Sequence, residues 1–131
     1  MTLAKKAEIA VRILLGALFL FGGVAFFFTT PPPLTGSMAT FFQGLQASRY
    51  FFFLLKGTEI VCGLALVSGL FVPLALVVLA PIVVNIVLVH VFLDPSGLPV
   101  AAAVLAAFVY LAFFSPTYSP VLRRLLAKKP A

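Results

Sequence analysis

The sequence predicts an all-α integral membrane protein: a bundle of four transmembrane helices, with an amphipathic interfacial helix between helices one and two. Hydrophobic residues make up 63% of the 131 residues and charged residues only 9%, whereas soluble domains carry about 25% charged residues. The mean hydropathy is +1.24. Because a chain this short cannot hide so much apolar surface in an aqueous core, we expect one membrane domain over residues 1–131.

Four apolar stretches are long enough to cross a bilayer, which takes about 20 helical residues. A proline run at residues 31–33 ends the first stretch. Gly69 and Pro73 predict a tight hairpin between the second and third stretches. A type I turn is predicted at Asp94, which is followed by Pro, Ser and Gly. The predicted spans are residues 9–28, 50–68, 73–93 and 98–114, each bound being approximate.

Two shorter segments have the pattern of amphipathic helices. In residues 38–48, apolar side chains recur at the i, i+3, i+4 and i+7 positions. This pattern predicts a helix lying on the outer membrane surface. Residues 119–129 predict a second such helix, on the anionic inner leaflet. Its wet face carries Arg123, Arg124, Lys128 and Lys129.

The net charge of +6 is concentrated near the two ends of the chain. Only Arg49 and Lys56 lie between the two basic clusters. This is the positive-inside pattern, and with four crossings it predicts that both termini are cytoplasmic. No basic stripe interleaved with aromatic residues is present to follow a phosphate backbone, so nucleic-acid binding is not expected. The expected partners are membrane lipids and either a partner protein or further copies of the chain.

The most informative polar residues are Lys56 and Glu59, which lie three residues apart within the second span. Each would cost roughly 2.5–3.5 kcal/mol at the centre of a membrane helix, so the two side chains should face inward and neutralise each other. Ionisable residues at that depth indicate a functional site by default. A structural ion pair that fixes helix packing is the competing interpretation, and for Glu59 the two are weighed as equal.

Three further residues could contribute to a site in or beside the third span. Asn85 falls at a depth similar to that of Glu59, where an amide more often links helices than binds a ligand. His90 and Asp94 are four residues apart on one helical face and could exchange protons. The alternative, slightly favoured, is a histidine that hydrogen bonds hold at the membrane interface. The single histidine and the single cysteine, Cys62, argue against a protein-only metal site and a disulfide. No catalytic motif is present.

Five runs of the sequence form a recognisable set: RILLGALFLFGG (12–23), LKGTEIVCGL (55–64), FVPLAL (71–76), APIVVN (80–85) and HVFLDPSGLP (90–99). Together they resemble the DoxX-like family of four-helix membrane proteins. The likeness extends from Arg12 to about Tyr110, and the run within the third span is its most specific part. The residues that match the polar positions of the family are Lys56, Glu59, Asn85, His90 and Asp94.

This resemblance implies a four-helix membrane bundle and allows more than one function. The family takes its name from a subunit associated with a thiosulfate:quinone oxidoreductase, and relatives of similar architecture in eukaryotes act as assembly factors. Our first hypothesis is an inner-membrane accessory subunit with a pocket between helices two and three for a quinone-like or other amphipathic ligand. Its electrons would come from a partner protein, and a quinone is the one cofactor expected, bound without a covalent link.

In this hypothesis the ligand-binding residues are Lys56, Glu59, Asn85 and His90, with Asp94 and Arg12 in supporting roles. Lys56 donates a hydrogen bond to a carbonyl, Glu59 exchanges a proton and Asn85 orients the ligand. The first alternative is a non-enzymatic assembly factor or structural subunit, in which the polar cluster stabilises the bundle. A small transporter is a weaker alternative, because the chain is short and has no paired interrupted helices.

Overall fold

The computed structural model describes residues 1–30 and 32–129, and all of the secondary structure in these residues is helical. Pro31, the first residue of the proline run, lies outside the described residues. The long helices are α1 (Leu3–Phe28), α3 (Phe51–Ser68), α4 (Val72–Phe92) and α5 (Leu98–Val109). A π-helical turn at Tyr110–Phe114 extends α5. The shorter elements are α2 (Gly36–Ala47), a 3-10 turn at Pro95–Gly97 and α6 (Ser119–Leu125).

Four helical segments are long and apolar enough to cross a membrane, which confirms the predicted architecture: α1, α3, α4 and the segment Pro95–Phe114. The largest difference from the expected bounds is that α1 begins at Leu3 rather than near residue 9. Thr2 explains the earlier start, because its hydroxyl accepts a hydrogen bond from the Lys5 backbone N–H at 3.2 Å. Such a cap satisfies one of the N–H groups that are left free at the start of a helix.

Helices α1 and α3 run antiparallel and pack together through three glycines. A β-carbon added at Gly16 would lie 2.7 Å from Leu66 Cβ, and one added at Gly63 would lie 2.7 Å from the Leu20 backbone nitrogen. Further along the contact, Gly23 lies against Ile60 and the carbonyl oxygen of Lys56. The backbones therefore approach too closely for any larger residue at these positions, which is how helices commonly pack within membranes.

The hairpin between α3 and α4 forms where Gly69 and Pro73 predicted it. Gly69 ends α3 with φ of +82°, a conformation that suits glycine. The backbone of Phe71, like that of Gly69, is in the left-handed region, with φ of +56°. Pro73 lies in the first turn of α4. Near the hairpin, the guanidinium of Arg12 packs against Gly69, where a β-carbon would displace it.

The core lies between α1, α3, α4 and α5, and its fully buried leucines are Leu66, Leu76, Leu79 and Leu111. Helix α6 covers the end of the bundle that carries both termini, since Leu122 belongs to the same buried cluster. The arginines and lysines of residues 123–129 are exposed. The helix predicted over residues 119–129 is shorter than expected: α6 ends at Leu125, so Lys128 and Lys129 follow the helix and do not lie on its face.

Helix α2 is the least buried helix, and none of its residues is buried. Its bounds are close to the predicted 38–48, and the side chain of Thr35, the residue before its first turn, makes no capping hydrogen bond. Helix α2 packs mainly on α3. The placement of α2 on the outer membrane surface stays a prediction.

The glycine contact can be tested by comparing two substitutions in the same helix. Gly63→Ala places a β-carbon against the backbone of α1, so we expect destabilisation of about 1–3 kcal/mol and a lower melting temperature in detergent. Gly57→Ala is the matched control, because no atom lies within 4 Å of its added β-carbon. Equal melting temperatures for the two variants would contradict the packing described here.

Candidate functional site

Lys56 and Glu59 form an ion pair inside the bundle, with Lys56 Nζ 3.0 Å from Glu59 Oε2. The Glu59 side chain is only 8% exposed and the Lys56 side chain 22%. The expectation that these charges neutralise each other is confirmed. Because a buried charge without a partner is strongly destabilising, each of the two residues makes the other tolerable at this depth.

The close approach of α1 and α3 places Lys56 beside the first helix. Gly23 of α1 contacts the Lys56 backbone, and Lys56 Nζ lies 5.9 Å from the centre of the Phe26 ring. An ammonium over an aromatic face is attracted by the ring quadrupole. The cation is therefore held by Glu59 on its own helix and by Phe26 across the contact.

Lys56 lines a cavity of about 540 Å³ between α1, α2 and α3, which we call the α1–α2–α3 cavity. Three stacked rings form part of its wall: Phe26 and Phe42 each stack on Phe52, with ring centres 5.5 Å apart in both pairs. The side-chain amides of Gln43 and Gln46, both in α2, add polar groups. The remaining lining residues are Gly22, Ala25, Thr29, Pro32, Leu34 and Ala39.

This location differs from the predicted one. The sequence placed the pocket between the second and third membrane spans, which are α3 and α4 in the structure. Of the four predicted ligand-binding residues, Lys56 alone lines the α1–α2–α3 cavity. Glu59 is buried beside it, whereas Asn85 is an exposed residue of α4. The reason is geometric: the glycines of α1 draw α3 toward the first helix, so Lys56 faces α1 rather than α4. The ligand-binding roles of these residues stay predictions.

His90 and Asp94 do come together, at the end of α4. His90 Nδ1 lies 3.1 Å from the Asp94 carbonyl oxygen and 3.9 Å from Asp94 Oδ2. The imidazole ring packs against Gly97, and Ser96 donates a hydrogen bond to the Asp94 carboxylate. These contacts fix the turn into α5, and neither His90 nor Asp94 lines the α1–α2–α3 cavity.

A larger groove of about 900 Å³ lies between α3 and α4, where the sequence placed the pocket, but its lining is almost entirely apolar. Cys62 lies at its buried side, which agrees with a packing role for the thiol. The groove offers hydrocarbon contacts and few groups that could orient a polar ligand. Its other walls include Phe53, Val61, Leu64, Leu74 and Val78.

The structure also shows a polar cluster that sequence reasoning missed, at the end of the bundle where both termini lie. Glu8 is fully buried. Its carboxylate lies 2.9 Å from Lys5 Nζ and accepts a hydrogen bond from the Thr117 backbone N–H at 2.8 Å. Lys5 also contacts the Thr117 hydroxyl. One feature of the sequence could have indicated this cluster: Lys5, Glu8 and Arg12 recur at i, i+3 and i+7 on one helical face.

Arg12 belongs to this polar cluster rather than to the cavity. It donates a hydrogen bond from Nη1 to the Tyr118 hydroxyl at 3.2 Å. Gly23, which contacts the Lys56 backbone, lies about 16 Å further along α1 at 1.5 Å per residue. Arg12 could therefore support a site at Lys56 only across this distance along α1. Its direct hydrogen bond to Tyr118 instead fixes the segment before α6.

The four spanning segments and the ion pair buried between them define a multi-pass helical membrane protein. The DoxX family model matches residues 7–91, more than half of the chain, so the protein belongs to the DoxX family. The match includes α1 from residue 7 onward, α3 and the Lys56–Glu59 pair, and it ends before Asp94. Comparisons with curated proteins and with solved structures give no match.

The polar cluster around Glu8 predicts a specific effect on the C-terminal segment. In Glu8→Gln, the new amide is a weaker acceptor and carries no charge for Lys5. We expect the free energy of unfolding of the C-terminal segment to fall by about 1–3 kcal/mol. Most of this comes from the hydrogen bond to the Thr117 backbone, because Lys5 is partly exposed and its charge is screened. Hydrogen exchange measured by mass spectrometry should become faster in residues 115–125.

Lys6→Gln is the control for this experiment, since Lys6 is an exposed residue in the same turn of α1. It should leave exchange in residues 115–125 unchanged. If Glu8→Gln behaved like Lys6→Gln, the carboxylate would not be what holds this segment.

Proposed function

We propose that this DoxX family protein is an accessory membrane subunit that binds a quinone-like amphipathic molecule in the α1–α2–α3 cavity. One observation carries the proposal: the Lys56 ammonium lies at the wall of a cavity that stacked phenylalanine rings also line. The volume of about 540 Å³ falls within the usual range of small-molecule pockets, roughly 300–1,000 Å³.

The chemistry of a quinone head fits these walls. A flat ring stacks on aromatic side chains, which the half-buried Phe26 and Phe42 supply at the cavity wall. Each ring carbonyl needs a donor when it is buried, and Lys56 and the amides of Gln43 and Gln46 are donors at the same cavity. An apolar tail would leave through the open side of the cavity into lipid.

Glu59 gives the site a route for protons. Reduction of a quinone to a quinol takes up two electrons and two protons, and in this proposal the electrons come from a redox partner protein. Lys56 passes a proton to one ring oxygen, and the Glu59 carboxylate, 3.0 Å from Lys56 Nζ, takes up a proton from solvent and passes it to the neutral amine. The remaining proton enters from water at the open side of the cavity.

The charge distribution supports an orientation for the protein in the inner membrane. Seven of the nine basic residues lie near the termini, and the contact between Lys5 and Thr117 places both terminal segments at one end of the bundle. By the positive-inside rule this end is cytoplasmic. The exposed cations that follow α6 then face anionic lipid headgroups.

A structural role for the ion pair is the second candidate, and one contact favours it. The Lys56 carbonyl packs against Gly23 within the α1–α3 contact, so a pair fixed at this place also fixes the register of the two helices. In that case the protein would act as a structural subunit or an assembly factor, with no ligand at Lys56.

Ligand binding at Lys56 can be measured with a short-tailed benzoquinone analogue. We expect the purified full chain to bind it and to gain thermal stability. Lys56→Gln should weaken binding about tenfold, because a hydrogen bond from a charged group contributes roughly 1.5–3 kcal/mol. Lys6→Gln, which removes an equal charge outside the cavity, should bind like the wild type.

The double variant Lys56→Gln/Glu59→Gln separates the two candidates, because it leaves no unpaired charge. A folded double variant that no longer binds the analogue supports the proposed function. Aggregation of the double variant, together with no binding by the wild type, would overturn it in favour of the structural role.

A further inference from the structure

Arg49 lies at the end of the bundle opposite the termini, and no ion pair within residues 1–30 and 32–129 includes it. The chain has three acidic side chains, and within residues 1–30 and 32–129 each faces another residue: Glu8 faces Lys5, Glu59 faces Lys56 and Asp94 faces His90. Positive charge is disfavoured on the outer side of a membrane protein. Arg49 is therefore a residue whose presence there needs a cause.

The backbone around Arg49 is held in a defined corner between α2 and α3. Arg49 has φ of +71°, which is uncommon for any residue with a side chain. The Ser48 hydroxyl braces the corner: it accepts from the Phe51 backbone N–H at 3.0 Å and donates to the Leu45 carbonyl at 2.7 Å. The Arg49 N–H donates to the Gln46 carbonyl at 3.0 Å. The start of the Arg49 side chain is thus fixed relative to α3.

Arg49 lines a small chamber of about 210 Å³ that adjoins the α1–α2–α3 cavity. The two spaces share Phe26, Gln46 and Phe52 as walls. Phe52 lies one helical turn before Lys56, about 6 Å along the α3 axis. A single ligand bound against these shared walls can therefore face Lys56 on one side and the Arg49 chamber on the other.

The charges of the combined site do not cancel. Glu59 compensates Lys56 at 3.0 Å, and no carboxylate of the described residues compensates Arg49. These side chains therefore give the site a formal charge of +1 at the edge of an apolar region, where a complementary charge on a ligand is favoured. A guanidinium is also suited to a planar oxyanion, which it can bind through two N–H groups.

We propose that the site prefers a ring compound with one ionised acidic oxygen, such as a hydroxyquinone anion, over the neutral ring of the same skeleton. Arg49 binds the anionic oxygen, and Lys56 donates to a ring carbonyl. This inference rests on the proposed function, since it names the class of ligand that the same cavity selects.

The test compares a hydroxynaphthoquinone, whose ring hydroxyl is ionised at neutral pH, with its methyl ether, which is neutral. The full chain in detergent should bind the ionised ring at least tenfold more tightly. Arg49→Asn should abolish this preference, and asparagine is chosen because it tolerates the left-handed backbone of this corner. Arg49→Lys keeps the charge and should retain part of the preference, and Lys6→Gln should retain all of it.

The outcomes separate this inference from the proposed function. If both rings bind the wild type equally, or if Arg49→Asn keeps the full preference, the selection by Arg49 is wrong while the cavity remains a ligand site. If neither ring nor the benzoquinone analogue binds, the proposed function fails and this inference fails with it.

Discussion

The close contact between α1 and α3 is the constraint on which the rest of the structure depends. Gly16 and Gly63 allow the two backbones to touch, and Gly23 continues the contact to Lys56. Lipid offers no hydrophobic drive for helices to associate, so van der Waals contact of this kind has to supply it. The contact also turns Lys56 toward Phe26, and the cavity therefore opens between α1, α2 and α3 rather than between α3 and α4.

The second organising feature is how the fold treats charge in an apolar setting. Glu59 and Lys56 neutralise each other inside the bundle, and at the end that carries the termini, buried Glu8 is satisfied by Lys5 and the Thr117 backbone. Burying either carboxylate alone would be costly. The two pairs serve different purposes: the Glu8 pair ties the C-terminal segment to α1, whereas the Lys56 pair leaves a donor at the wall of a cavity. This asymmetry places the proposed chemistry away from the termini.

The sequence predicted much of the fold because its signals are local. Hydropathy located the four spans, Gly69 and Pro73 located the hairpin, and the three-residue spacing of Lys56 and Glu59 predicted their ion pair. The site was harder to predict, because the helix that faces Lys56 depends on how neighbouring helices rotate about their axes. Asn85 and His90, both in α4, were expected at the pocket and do not line the cavity. The role of Glu8 depends on Thr117, more than a hundred residues later in the chain, and no local pattern reports such a contact.

Photo-crosslinking is the most direct test of the central claim, that a quinone-like molecule binds beside Lys56 between α1, α2 and α3. A benzoquinone with a photoreactive group on its ring would be bound to the full chain in detergent, irradiated and mapped by mass spectrometry. We predict adducts on cavity residues of α1 near Phe26 and within 42–56, displaced by an excess of the unmodified quinone. Adducts confined to residues 61–78, in the apolar groove between α3 and α4, would contradict this account.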